Sequence, residues 1–324
     1  MKAIVIGIIA SIFFSSTFII NRSIDLEGGS WYYSASLRFL FMIPFLVLIV
    51  SLRGGLGPLF AELKKAPIYW LIWSFVGFVL FYAPITYAAA YGPGWLIAGT
   101  WQMTIVAGLL LSPLFFMTIE KGGEQLKVRQ RIPLKALWPS LIILFGVLMI
   151  QLQQSEAITL QLFLLSVIPV TIAAFAYPLG NRKMMEKCQG RLDSFQRVLG
   201  MTIASLPWWL LLFSYGFVVE GPPPSHQVLQ TFLVALFAGV IATVLFFWAT
   251  DLVRGDAENL AAVEATQSGA VLFALIGEII LLSGKLPSFG ALIGLGCIMA
   301  GMIIHSYVTT RNKKPIQKSL PRAN

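Results

Sequence analysis

The chain has 324 residues, 57% of them hydrophobic and 11% charged, with a mean hydropathy of +0.81. A water-soluble domain carries about 25% charged residues to solvate its surface, so this composition excludes a soluble globular protein and makes lipid the fitting solvent. A net charge of +9 would suggest a nucleic-acid partner in a soluble chain; here the basic residues lie between apolar runs, which points to membrane topology and no nucleic acid.

A bilayer-crossing helix needs about 20 mainly apolar residues. Ten runs meet that need: 3–20, 32–52, 68–90, 94–117, 134–152, 157–180, 195–219, 228–250, 257–282 and 287–308. The first follows Lys2 and resembles the apolar part of a signal peptide. It has no small-residue cleavage site after it, so it reads as a retained helix. Pro44, Pro84, Pro113, Pro169, Pro178 and Pro207 fall inside spans and are expected to kink them. Residues 311–324 read as a polar cytoplasmic tail near anionic lipid, an anchor of topology more than a regulator. Cys188 and Cys297 are far apart, and His226 and His305 are isolated, so neither a disulfide framework nor a zinc site is suggested.

Nineteen of the 23 Lys and Arg residues fall in connections on one side of this arrangement. Arg22 and Lys285 fall on the other, and Arg38 and Arg197 lie within spans. Positive charge stays cytoplasmic, so the bias gives a multi-pass protein of the cell (plasma) membrane with both termini cytoplasmic. Removing one span would put Lys-rich connections on both sides, so the charges support ten spans independently of hydropathy.

Ten spans divide into two halves of five, residues 1–152 and 153–310, and an odd-numbered half re-enters the membrane inverted. Polar landmarks repeat accordingly. Asn21-Arg22 closes span 1 and Asn181-Arg182 closes span 6; Arg38 is early in span 2 and Arg197 in span 7; Gln102 is in span 4 and Gln267 in span 9. The offsets are 160, 159 and 165 residues. The expected fold is therefore all-α integral membrane, ten transmembrane helices as two inverted five-helix repeats, the architecture of alternating-access transporters with a site near the midplane.

The segment 259–304 carries Gly277-Glu278 at a helix end, Pro287 in a short turn, then Gly290, Gly294, Gly296 and Gly301 in the last helix. It resembles the closing part of a drug/metabolite exporter domain. The opening IASIFFSSTFIINRSID resembles the first helix of the drug/metabolite transporter superfamily. Within that superfamily the chain is most similar to the multidrug resistance efflux transporter (EmrE/EamA-like) branch. The resemblance implies a transporter with no enzymatic activity and no cofactor. Two departures matter. Ser112-Pro113 stands where span 9 has Gly277-Glu278, and span 1 has no carboxylate, unlike the small four-helix multidrug exporters.

Charged side chains deep in lipid are costly and usually face the protein interior. Glu264 sits about seven residues into span 9, on one face with Gln267 and Ser268. It is the leading coupling candidate, against a structural pairing with an arginine. Arg38 suits a substrate anion or a carboxylate such as Glu264, or ties span 2 to a neighbour. Arg197 and Glu278 read as structural. Trp95, Gly99, Gln102 and Val106 form one helical stripe that matches Leu260, Glu264, Gln267 and Val271 under the repeat. Facing glutamines would floor a substrate site, with Trp101, Tyr82, Tyr87 and Tyr91 adding aromatic surface, and Tyr177 in span 6 is a hydroxyl-bearing candidate for cavity lining. The competing reading of these rings is an interfacial belt. Ser11, Ser15, Ser16 and Thr17 suit close helix packing or cavity lining.

The expected function is a secondary active transporter exporting a small drug or metabolite by alternating access, proton-coupled, as monomer or homodimer. No GxxxxGK[ST] loop provides for ATP coupling. The alternatives are an amino-acid or other metabolite permease of the same superfamily, a membrane-embedded lipid-modifying enzyme, and a non-transporting scaffold.

Overall fold

A computed structural model describes residues 1–91, 94–121, 124–152, 160–281 and 288–311. The chain folds as a helical membrane protein. Among the described residues, six helices are long and apolar enough to cross a bilayer: Lys2–Asn21, Trp31–Leu52, Pro67–Tyr91, Leu164–Cys188, Ser194–Glu220 and Ser225–Asp251. Leu137–Met149 and Leu292–His305 are shorter apolar helices.

The helical elements, in order, are α1 (Lys2–Leu26), α2 (Trp31–Leu52), α3 (Leu56–Lys65), α4 (Pro67–Ser74), α5 (Leu80–Tyr91), α6 (Gly94–Trp101), α7 (Met103–Leu110), α8 (Leu134–Leu152), α9 (Leu160–Leu162), α10 (Ile168–Cys188), α11 (Ser194–Glu220), α12 (Ser225–Val234), α13 (Thr243–Asp251), α14 (Ala257–Ala265), α15 (Gly269–Leu281) and α16 (Phe289–Arg311). Three π-helical stretches interrupt the series, at Phe75–Val79, Phe163–Val167 and Ala235–Ala242. The first two lie just before Pro84 and Pro169, whose missing N–H groups free upstream carbonyls. The third has no proline. It widens the backbone so that the carbonyl of Ala238 accepts both Arg38 Nη2 at 3.2 Å and Thr243 Oγ1 at 3.0 Å.

The structure corrects the sequence reading in four places. The expected span 94–117 ends early: a 3-10 turn at Ser112–Leu114 breaks it at Pro113. The chain then enters a two-stranded antiparallel hairpin, β1 (Phe116–Lys121) with β2 (Glu124–Arg129), registered from Phe116 opposite Arg129 to Lys121 opposite Glu124. The alternation of Met117, Thr118, Ile119 and Glu120 suits a strand with two unlike faces, so the fold is not purely helical. The expected spans 94–117 and 257–282 are not continuous helices either. The first breaks at Gln102, where Ile105 N donates to the Gln102 carbonyl, and the second has a 3-10 turn at Thr266–Ser268. Span 6 does not stop at residue 180; α10 runs to Cys188 and ends with Gln189 in the left-handed region. Arg182, Lys183 and Lys187 therefore belong to a helix and not to a loop. Finally, α1 passes through Asn21 instead of ending there.

α10 is the central element. It packs against α5, α7 and the π-helical stretch Phe75–Val79. Gly77 and Gly180 make this crossing possible: a Cβ on Gly77 would stand 3.1 Å from Gly180 Cα, and one on Gly180 would overlap the Gly77 backbone. Such backbone approach is how membrane helices gain packing energy, because burial from lipid supplies little hydrophobic drive. Exposed Ile, Leu, Val and Phe side chains cover the outside, as on Ile8, Ile12, Leu48, Ile72, Leu211 and Leu229, while among the described residues three arginines sit fully buried inside.

Candidate functional site

The buried interior is organised by three arginines, each met differently. Arg182, on α10, is paired with Glu264, on α14. Arg182 Nε donates to Glu264 Oε1 at 2.9 Å and Nη2 to Oε2 at 2.6 Å, a two-pronged pair with side chains 2% and 3% exposed. The geometry matches the planar guanidinium to the carboxylate and pairs both charges, with Arg182 Nη1 left without a hydrogen-bond partner among the described residues. Gly108, on α7, lies directly on the pair; a Cβ there would overlap Glu264 Oε2 and stand 3.2 Å from Arg182 Nη2. The 3-10 turn at Thr266–Ser268 follows Glu264 by two residues.

Arg197, on α11, forms the second assembly. Its Nη1 donates to Asp251 Oδ1, and its Nη2 to the Phe247 carbonyl at 3.2 Å and to Asn181 Oδ1 at 3.4 Å. Ser194 donates to the same carboxylate at 3.3 Å, and Asn181 Nδ2 to Thr250 Oγ1 at 3.3 Å. Asn181 and Arg182 are neighbours in sequence, so α10 joins the two assemblies.

Arg38, on α2, is the third, 1% exposed. It donates to the Ala238 carbonyl and lies over the Tyr82 ring, its guanidinium carbon 3.9 Å from the centroid. The expectation that it answers Glu264 is corrected: Arg182 takes that carboxylate.

A cavity of about 30 Å³, room for roughly two waters, lies beside Arg38. Arg38, Tyr82, Trp101, Tyr177 and Gln267 all line it, together with Phe14, Thr17, Phe18, Phe81, Ile85 and Ala270. Arg38, Tyr82, Trp101, Tyr177 and Gln267, singled out one by one in the sequence, thus meet at one place. The aromatic wall is continuous: Phe81 lies 4.4 Å from Tyr177 and 5.2 Å from Trp101 between ring centroids, and Tyr177 stacks on Phe246 at 5.6 Å. Gln102 and Glu264 are buried but do not line the cavity. Tyr87 and Tyr91 lie elsewhere, 4.7 Å apart, with Tyr87 against Trp31 at 5.3 Å, which fits a boundary cluster. Of the helix-1 hydroxyls, Thr17 reaches the cavity, while Ser11, Ser15 and Ser16 bond back to their own helix at Ile8, Ile12 and Phe13. The side chains of Trp95 and Glu278, together with Lys285, Pro287 and the tail 312–324, lie outside the described residues.

Sequence reading misses Arg182 because it counts that residue as a loop charge. The available signal is the absence of any turn former between Asn181 and Gly190, which lets the helix continue past Gly180-Asn181. Gly108 leaves a weaker trace, a small residue within an apolar helix.

The fold and its charged interior define a multi-pass α-helical membrane protein. The chain belongs to the EmrE family, described as "Putative multidrug resistance efflux transporter", whose profile matches residues 1–311. It is 61% identical to "Uncharacterized protein YjlA" of Bacillus subtilis (strain 168) over 98% of both chains. It is 53% identical to an "Uncharacterized 42.1 kDa protein in intracellular alkaline protease 3'region" of Shouchella clausii, over 83% of this chain and 70% of that one. A crystallised protein of 15% identity shares the fold, with a TM-score of 0.70 over 96% of this chain and 98% of its own.

Proposed function

We propose that this chain is a secondary active transporter that exports a small organic molecule by alternating access, with proton coupling at Glu264. The observation that carries the reading is the buried Arg182–Glu264 pair, with Glu264 two residues before the break between α14 and α15 whose Gln267 lines the cavity. A pair without solvent is a two-state device. Protonating Glu264 frees Arg182, and an unpaired charge in low dielectric drives the surrounding helices to rearrange.

The inverted-repeat reading gains support from matched irregularities. The helix break at Gln102 and the turn containing Gln267 fall at equivalent positions, as do the π-helical stretches beginning at Phe75 and Ala235. Irregular backbone at membrane depth is tolerated only where protein or a cavity covers it, and broken helices mark transport sites. The basic residues of the sequence-derived loop count support cytoplasmic termini, and removing Arg182, Lys183 and Lys187, which lie in α10, leaves 16 against two.

The test compares compounds inside and outside cells that carry or lack the gene. Export predicts at least one small organic compound that builds up inside gene-deficient cells, with release restored by the native chain but not by Glu264→Gln. Identical profiles in both strains would contradict export.

A further inference from the structure

We infer that the cargo is an organic anion, a carboxylate on an aromatic or apolar body, held by Arg38, rather than an organic cation. This rests on the transport reading only in taking the cavity as the cargo site.

The inference starts from a charge imbalance. Of the three fully buried arginines, Arg182 is matched by Glu264 and Arg197 by Asp251. Arg38 has no carboxylate partner among the described residues, and this sets it apart, since each of the three has one guanidinium nitrogen without a hydrogen-bond partner there. A carbonyl and an aromatic face are weak compensation for a charge removed from water. The imbalance is confined to the cavity, where Arg38 is the one formal charge in the lining.

The other polar lining atoms point the same way. Tyr82 Oη, Tyr177 Oη, Thr17 Oγ1 and Gln267 Nε2 are buried without a partner. Each can donate a hydrogen bond, and none carries negative charge. Buried donors converging around a buried cation leave room for an acceptor-rich group, and a carboxylate supplies up to four lone-pair positions. The adjoining wall of Phe81, Trp101 and Tyr177 suits a flat apolar body. A cationic ligand would meet Arg38 as a like charge at a buried site. The breaks at Gln102 and Thr266–Ser268 adjoin Trp101 and Gln267 of the lining and are where its walls can part to admit the cargo.

The experiment measures binding to the full-length protein in lipid nanodiscs. It uses three ligands of one skeleton and different charge: phenylacetate, phenethylamine and 2-phenylethanol. Phenylacetate is expected to bind saturably and at least about tenfold more tightly than the other two, with Arg38→Gln weakening it by at least about tenfold. No saturable response up to about 10 mM phenylacetate, an equal or tighter response to phenethylamine, or an equal response to chloride would each overturn the inference. Should Arg38→Gln not fold, Thr17→Val and Tyr177→Phe remove single donors without changing charge. Loss of phenylacetate affinity in both supports the assignment, and unchanged affinity in both overturns it. Anion binding without transport would remove the transport reading and leave this one standing. Proton-driven export of phenethylamine with no anion binding would do the reverse.

Discussion

Glu264 and Arg182 depend on each other because neither charge is tolerable alone at 3% and 2% exposure. Removing one partner of such a pair costs about 3–5 kcal/mol, whereas replacing both is near neutral. Glu264→Gln and Arg182→Gln are each expected to lower thermal stability in detergent, and the double variant to recover most of the loss, as read by a double-mutant cycle on unfolding free energy. Additive losses would show that the pair is not coupled. Gly108 gives a sharper check. A methyl group there overlaps Glu264 Oε2, so Gly108→Ala should destabilise by about 1–3 kcal/mol. Gly57→Ala, where a Cβ meets nothing within 4 Å, should be neutral or slightly stabilising. Comparable melting temperatures for the two variants would mean that α7 is looser against the pair than its geometry indicates.

At the scale of elements, the ends of helices are tied by a separate set of charges. Glu62, on α3, receives Lys65 at 2.7 Å and Arg191, from the connection after α10, at 3.3 and 3.4 Å, and its own carbonyl accepts Trp70 Nε1 at 3.2 Å. The Lys65 hydrogen bond, followed by Arg191, holds the Glu62 carboxyl below the usual range against the opposing effect of burial. A lowered carboxylate value stabilises the folded state above the unfolded value and loses that contribution as pH falls through the folded one. The melting-temperature difference between the native chain and Glu62→Gln should therefore be constant near neutrality and shrink on acidification below the ordinary glutamate range. A difference that grows on acidification would contradict the assignment. The breaks at Gln102 and Thr266–Ser268 carry i+3 in place of i+4 bonding, so their amides should exchange with deuterium faster than those in the middle of α11. Equal protection would make them static features.

Across the whole molecule, composition made the membrane legible, since 11% charged residues cannot coat a water-facing surface. The cavity residues Arg38, Tyr82, Trp101, Tyr177 and Gln267 were visible one by one, because a polar or amphipathic side chain within an apolar run has to be explained. Their meeting point was not visible, since it depends on the packing of α1, α2, α5, α6, α10 and the turn before α15. The partner of Glu264 was hidden for a different reason. Arg182 follows a polar Asn and sits near Lys183 and Lys187, a pattern that reads as a loop although α10 continues. The hairpin β1–β2 was hidden because Phe115, Phe116 and Met117 extend the apolar run past Pro113. The topology proposed for the molecule predicts that reporter fusions after Arg311 stay cytoplasmic, and that fusions near Gly221, after α11, face outside.

The central claim is that Glu264 couples transport to protons, and reconstituted protein tests it most directly. Proteoliposomes carrying the native chain or Glu264→Gln are loaded with phenylacetate, phenethylamine or ethidium, and release is followed under an imposed pH gradient. The account predicts that native release of at least one probe rises with the gradient, while the folded Glu264→Gln variant gives release that ignores it. Release by the variant with unchanged dependence on the gradient would contradict the account.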